Sequence, residues 1–366
     1  MSEPEEDQAN FGPRLVRKGR GAASNRDGRF ERYVKEAIDD GWGNLEEDLP
    51  PLKTELRPDT SRSIIAWNQS PDIPFDRSIN PYRGCEHGCV YCYARPTHAY
   101  LGLSPGQDFE SKLFFKPNAA TLLEGELAKP SYRCQMIALG TNTDPYQPTE
   151  KRLGITRSLL QVLADHHHPL SIVTKSALVT RDIDILAPMA AKRLAAVFLS
   201  VTTLDGALAR KLEPRASTPA RRLEAIRILN DAGIPCGVMV APVIPGLTDS
   251  ELERILEAAY AAGAREAGFI TLHLPLEIKD LFEEWLKTHA PGRAKHVLSL
   301  VRQIRDGALY QSEFGTRMRG TGPYAETLGR RFDLACARLG FNRSRCALDT
   351  TLFRRPPRAG DQLSLL

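Results

Sequence analysis

The chain has 366 residues, 42% of them hydrophobic, and 49 Lys and Arg against 45 Asp and Glu for a net charge of +4. That length supports one large domain with extensions or two modest ones, and the charge neither demands nor excludes an anionic partner, so any nucleic-acid argument has to be local. The seven cysteines are an odd number, four of them single (Cys134, Cys236, Cys336, Cys346), which excludes a disulfide scaffold and reads as a reducing compartment.

The acidic start MSEPEEDQAN lacks the basic and then apolar profile of a secretory signal, and no apolar run reaches membrane-spanning length. The expectation is a cytoplasmic protein with no membrane partner. Residues 1–62, rich in charge, Gly and Pro, read as an extension with little core of its own. From 63 to 275, β-rich apolar runs alternate with helical patterns. CQMIALG precedes ITRSLLQVLADH, LSIVTKS precedes RDIDILAPMAA, and AAVFLSVTT precedes RRLEAIRILNDAG. PCGVMVAPVIPG then leads into DSELERILEAAYAAG, and EAGFITLHLP closes the series. With a short strand leading into residue 80 these make six βα units, which predict an α/β fold: a partial (β/α)6 TIM-type barrel. Its ligands should gather at the C-terminal strand ends. Residues 276–350 read as a basic, helical C-terminal region and 351–366 as a mobile tail.

In the first unit, NPYRGCEHGCVYCYARP sets Cys85, Cys89 and Cys92 within eight residues, with no fourth cysteine at matching spacing. Three thiolates on one short loop suit three corners of a [4Fe-4S] cube and leave one iron open to an outside ligand. Gly84 and Gly88 let the backbone turn tightly, and Tyr91 stands beside the last thiol as an aromatic wall. The competing readings are a zinc site completed by His87 or His98, which would normally pair two cysteine knuckles where this chain has one, and a cysteine cluster without metal. The run His166, His167, His168 before Pro169 invites a metal assignment but reads as a solvated helix end. Cys134, Cys236 and Cys336 fall in or beside apolar runs and read as small core residues.

The CxxxCxφC pattern of Cys85-Glu86-His87-Gly88-Cys89-Val90-Tyr91-Cys92 resembles the signature of the radical S-adenosylmethionine (SAM) superfamily. SINPYRGCEHGCVYCYARPTHAYLG, TNTDPYQPTE, KLEPRA and APVIPGLTD, in that order, are similar to the branch related to spore photoproduct lyase, often labelled DNA repair photolyases. The similarity spans about residues 60–345. It implies a [4Fe-4S] cluster on Cys85, Cys89 and Cys92 and SAM on the open iron. It also implies a flavodoxin- or ferredoxin-type reductant, whose electron cleaves SAM to a 5′-deoxyadenosyl radical that takes hydrogen from a substrate.

The same resemblance places Thr143 and Asp144, with Glu150 beyond them, at the barrel mouth for the methionine ammonium; the competing reading makes Asp144 a turn cap. Lys175 would pair with the SAM carboxylate, and Ser200 would reach the ribose or methionine. Glu213 and Arg215 would form an orienting ion pair or touch SAM, and Val243 and Ile244 would pack against adenine. The chain also departs from the lyases, which carry a cysteine after the second strand to return hydrogen to the product radical. Residues 140–143 contain none, and Cys134 lies at the other end of that strand. Tyr91, Tyr146 and Tyr93 stand as alternative donors.

The expected substrate is a nucleic-acid lesion or modified base. The alternatives are a protein or peptide side chain, or a non-catalytic iron-sulfur or zinc module. Arg14, Arg17, Lys18 and Arg20, and Arg317, Arg319, Arg330 and Arg331 with Tyr324 for stacking, offer local charge for DNA phosphates. The tail Gln362-Leu363-Ser364-Leu365-Leu366 resembles the peptide by which bacterial DNA-maintenance proteins dock on the replicative sliding clamp.

Overall fold

The computed structural model describes residues 20–31, 52–344 and 346–356. Arg14, Arg17, Lys18 and the clamp-like peptide 362–366 lie outside the described residues. Ten strands occur among those described: β1 (Glu55–Pro58), β2 (Ile65–Trp67), β3 (Arg77–Ile79), β4 (Tyr82–Arg83), β5 (Lys112–Phe115), β6 (Ile137–Leu139), β7 (Leu170–Thr174), β8 (Ala195–Ser200), β9 (Cys236–Val243) and β10 (Glu266–Thr271).

Six of them, β3 and β6 to β10, run parallel and pair in chain order, which is the partial barrel expected. The sheet stays open, because among the described residues β10 pairs only with β9. Continuous apolar runs form these strands because both faces are covered: Ile172, Val197, Leu199 and Val238 are all fully buried. Each return helix turns one apolar stripe inward. Ile155–Asp165 buries Leu159, Leu160 and Leu163, and Leu252–Ala261 buries Leu252, Ile255, Leu256 and Ala259.

Two features were not legible in the sequence. β2 pairs antiparallel on the outside of β3, and β1, β5 and β4 make a second, three-stranded sheet. Strands of two to four residues are too short to show a period.

After β10, helices Ile278–His289 and Pro291–Gln303 fold back over the C-terminal strand ends. Phe282, Trp285, Val297 and Val301 form a second core with Val90, Tyr91, Ile244 and Leu272. The cysteine loop thereby gains an apolar roof. Helix Gly322–Leu339 packs outside the barrel, its Phe332 ring 4.7 Å from that of Phe269 on β10.

The solvated reading of the histidine run is corrected at His168, which is fully buried. Its Nε2 lies 2.7 Å from the Tyr132 hydroxyl and its ring packs edge-on to Phe353. No helix of the described residues is long and apolar enough to cross a membrane.

Candidate active site

The cysteine loop leaves the C-terminal end of β3 through β4. Gly84 (φ 77°) and Gly88 (φ 68°) take left-handed conformations that bracket the first turn, where a side chain would be strained. Short backbone bonds fold the rest: the Cys92 amide donates to the Cys89 carbonyl at 3.2 Å, and Arg95 N to the Cys92 carbonyl at 3.1 Å. The loop is anchored outward as well, with Cys85 N on the Phe109 carbonyl (2.9 Å) and Val90 N on the Leu212 carbonyl (3.1 Å).

Cys85 and Cys89 are buried and Cys92 half-buried, all three as free thiols. Burial pushes all three thiols up, and their mutual repulsion as thiolates adds to the shift at Cys85. Lys175 and Arg222 oppose this at Cys89, and Arg95 and Lys175 at Cys92. A metal group must therefore displace protons to bind, and the cations around the loop favour the thiolates that result.

This donor set fits a [4Fe-4S] cluster: three thiols from one loop, no fourth, and cations behind them. A zinc ion would need a fourth ligand converging with the three thiols, and among the described residues neither candidate histidine is grouped with them. His87 Nδ1 faces Asp144 Oδ2 at 3.3 Å, and His98 Nε2 lies 3.0 Å from the Lys112 carbonyl. No three His, Cys, Asp or Glu side chains of the described residues are grouped to hold a single metal ion. A cube makes no such demand, since each thiolate takes a different iron.

Behind Cys89 stands a buried polar network. The Tyr91 hydroxyl donates to Glu213, which also accepts from Thr202 Oγ1 (2.7 Å) and pairs with the Arg222 guanidinium. Arg222 further donates to the carbonyls of Ser200 (2.9 Å) and Ser217 (2.7 Å). Burial opposes the charge on Glu213, yet Arg222 and then Lys175 hold its carboxyl at about 2. The ion pair read between Glu213 and Arg215 is corrected: Arg215 turns to Glu86 at 3.0 Å, and Arg222 takes its place. Arg222 carried a signal that sequence reading passed over. It shares the buried stripe of its helix with Ala225, Ile226 and Leu229, where a cation needs a partner.

Lys175 leaves the end of β7 with its Nζ 3.5 Å from the Ala241 carbonyl and 5.7 Å from the centre of the Tyr91 ring. Ser200, Val243 and Ile244 are buried at the ends of β8 and β9. Thr143 is buried, its hydroxyl 3.4 Å from the Tyr82 carbonyl. Asp144 ties strand ends together, accepting from Tyr146 N (2.9 Å), Thr174 Oγ1 (2.7 Å) and Lys175 N (2.8 Å). Burial disfavours its charge, but His87 and these donors hold it at about 2.

Two other expectations are corrected. Tyr146 is fully buried with its hydroxyl on Asp182 (3.0 Å), and Glu150 pairs with Arg181 (2.8 Å), so both belong to a core network and not to the mouth. Among the cations read as phosphate contacts, Arg20 is buried against the Glu110 carbonyl (2.6 Å). Arg317 pairs with Asp72, Arg331 with Glu253, and the Tyr324 hydroxyl with Asp249. Arg330 stays exposed, whereas the Arg319 guanidinium lies 3.8 Å from the centre of the Phe269 ring.

These shifts predict a two-stage acid profile for the cluster-free protein. His98 and His168 are held at about 4, chiefly by burial. The unfolded chain therefore binds more protons between the ordinary 6.5 and about 4, and stability falls as pH drops through that window. Asp144 and Glu213 contribute stability present above their ordinary 3.8 and 4.5, which is lost as pH falls to about 2. Urea midpoints across this range should decline in both stages; a flat upper stage would contradict the neutral burial of the histidines.

Residues 79–259 match the sequence model of the radical SAM superfamily. An uncharacterized protein of Mycobacterium tuberculosis is 41% identical over 243 residues, covering 65% of this chain and 72% of its own. An uncharacterized protein of Methanocaldococcus jannaschii is 31% identical over 173 residues, covering 47% and 62%. Among solved structures, a mutant of spore photoproduct lyase aligns with a TM-score of 0.56 at 15% identity, over 78% of this chain and 80% of that one. Spore photoproduct lyase complexed with dinucleoside spore photoproduct aligns with a TM-score of 0.53 at 17% identity over the same shares. The likeness to the lyases is one of fold. With the cysteine loop lying inside the matched segment at the mouth of a parallel partial barrel, the chain belongs to the radical SAM superfamily: it is a radical SAM enzyme whose cofactors are a [4Fe-4S] cluster and SAM.

Proposed function

We propose that this enzyme acts on a nucleic-acid lesion or modified base. The supporting observation is an aromatic pair at the mouth. Tyr93, next to Cys92, is 51% exposed, its ring is stacked 5.8 Å from that of His273 beyond β10, and its hydroxyl donates to the Thr141 carbonyl beyond β6. A flat ring held from both sides of the opening offers a base a stacking face beside the cysteine loop. The shared fold with a lyase solved with a dinucleoside lesion adds support.

In this reading Cys85, Cys89 and Cys92 would hold the cluster, and SAM bound there supplies, after one-electron reduction, the radical that removes hydrogen from the substrate. The Lys175 ammonium, 3.5 Å from the Ala241 carbonyl and facing the Tyr91 ring, is the cation assigned to the SAM carboxylate. Ser200 and Thr143 are assigned to the polar end of SAM, and Val243 and Ile244 to adenine. Asp144, Glu213 and Arg215 act on SAM indirectly, by fixing the strand ends and loop that surround it. Tyr91 has its proton held by Glu213, so it serves as a wall. The roof of Phe282 and Trp285 keeps water from that wall. A low-potential reductant and the reducing cytoplasm complete the proposal.

The test is anaerobic reconstitution with iron, sulfide, SAM and dithionite, comparing ultraviolet-damaged with undamaged oligonucleotides. Damaged DNA should raise 5′-deoxyadenosine formation while the lesion disappears, and Tyr93→Ala should weaken DNA binding by about 1–3 kcal/mol. Stimulation by peptides and by no nucleic acid would overturn the reading.

A further inference from the structure

We infer that residues 20–23, outside the barrel segment that defines the superfamily, form one wall of the cysteine loop and position it for the cluster. The contact is backbone on backbone. A Cβ added at Gly21 would stand 1.7 Å from the Gly88 carbonyl oxygen and 2.9 Å from its carbon, so no side chain fits there. Gly88 is confined on another side too, where its own Cβ would meet Glu110 Oε2 at 2.8 Å. Arg20, Gly21, Ala22 and Ala23 are all buried.

Glu110 joins the wall to the thiols. Its carboxylate, fully buried, accepts from Gly21 N (2.9 Å) and Ala22 N (2.8 Å) and pairs with the Arg95 guanidinium. Arg95, also fully buried, donates to the Cys89 carbonyl at 2.8 Å and the Gly106 carbonyl at 2.8 Å. The segment's amides thus complete the hydrogen bonding of a buried anion whose counter-ion grips the loop at a cysteine. A second tie runs from the Arg20 guanidinium to Thr54 Oγ1 (3.3 Å), from that hydroxyl to Glu86 Oε1 (2.6 Å), and from Glu86 to Arg215 (3.0 Å). Glu86 lies between Cys85 and Cys89, so both halves of the turn are held. Further along, Ser24 (2.7 Å) and Arg26 (2.6 Å) bond Glu284 on the helix Ile278–His289, which roofs the loop from the other side.

The inference rests on the cluster assignment and is independent of the substrate. Its test uses the full chain with Gly21→Ala and Glu110→Gln, and Gly206→Ala as a control whose added methyl meets nothing within 4 Å. In cluster-free protein, alkylation of Cys89 is followed by mass spectrometry, with Cys134 at the far end of β6 as internal reference. In reconstituted protein, iron loss in air and the electron paramagnetic resonance line shape of the reduced cluster are followed. Both variants should alkylate Cys89 and lose iron about tenfold faster, with an altered line shape, while Cys134 and the control keep wild-type behaviour. Wild-type Cys89 labelling, iron retention and line shape in Glu110→Gln would overturn the inference, whether or not Gly21→Ala folds. Equal acceleration at Cys134 would overturn it too, by reducing the effect to global loosening.

Discussion

Replacing Cys89 by alanine is expected to remove the cluster's visible absorbance and bring 5′-deoxyadenosine formation to background, with little change in the stability of the cluster-free protein. The asymmetry follows from what the side chain does. As a buried thiol it is a small group in an apolar corner, packed with Val90, Tyr91 and Leu212, and its loss removes little volume. As a ligand it is one of three corners, and no other cysteine stands on this loop to replace it. Cys236→Ala, which touches a thiol buried at the start of β9, should keep both cluster and turnover. Iron and sulfide content with single-turnover product analysis would check this; a fully loaded, SAM-cleaving Cys89→Ala would remove the three-cysteine assignment.

The second large effect is expected from Arg222→Met. Arg222 and Glu213 are both 99% buried by side chain and face each other directly. Methionine fills much of the volume but leaves the Glu213 carboxylate without its cation, next to Tyr91 and close to Cys89. Breaking a buried pair on one side costs about 3–5 kcal/mol. The Tyr91 and Thr202 hydroxyls still satisfy lone pairs, and Lys175 still favours the charge, but it makes no ion pair with Glu213 to replace the guanidinium. The double variant Arg222→Met/Glu213→Leu should recover part of the loss, because it removes the stranded charge. Arg227→Met on the exposed side of the same helix should leave the midpoint unchanged, since its pairs with Glu224 and Asp231 lie in solvent. Urea denaturation of the cluster-free variants would decide; an Arg222→Met midpoint equal to that of Arg227→Met would refute the buried-pair account.

Much of the site was legible one segment at a time. The three cysteines declare their chemistry by spacing on a single loop, and Lys175, Ser200, Val243 and Ile244 fall where strand ends were read. Those strand ends do converge on one edge of the sheet. The partners of the charged residues were not legible in the same way. Glu213 and Arg215 are two positions apart and looked like a pair, yet the backbone sends them to opposite sides of the loop, one to Arg222 and the other to Glu86. Tyr146 and Glu150 share the segment of Asp144 but face Asp182 and Arg181 on the core side.

The sequence alone determined the cysteine loop, the six-strand alternation and the lack of a fourth cysteine at matching spacing on that loop, because covalent spacing and continuous apolar runs act over a few residues and need no knowledge of neighbours. Tertiary structure alone decided which buried charges meet, that His168 is a core residue, and that Gly21 lies against Gly88. These depend on how separate elements pack: the charges and His168, once removed from water, had to find a partner within hydrogen-bond reach, while Gly21 meets Gly88 because only a residue without a Cβ leaves room for that backbone approach.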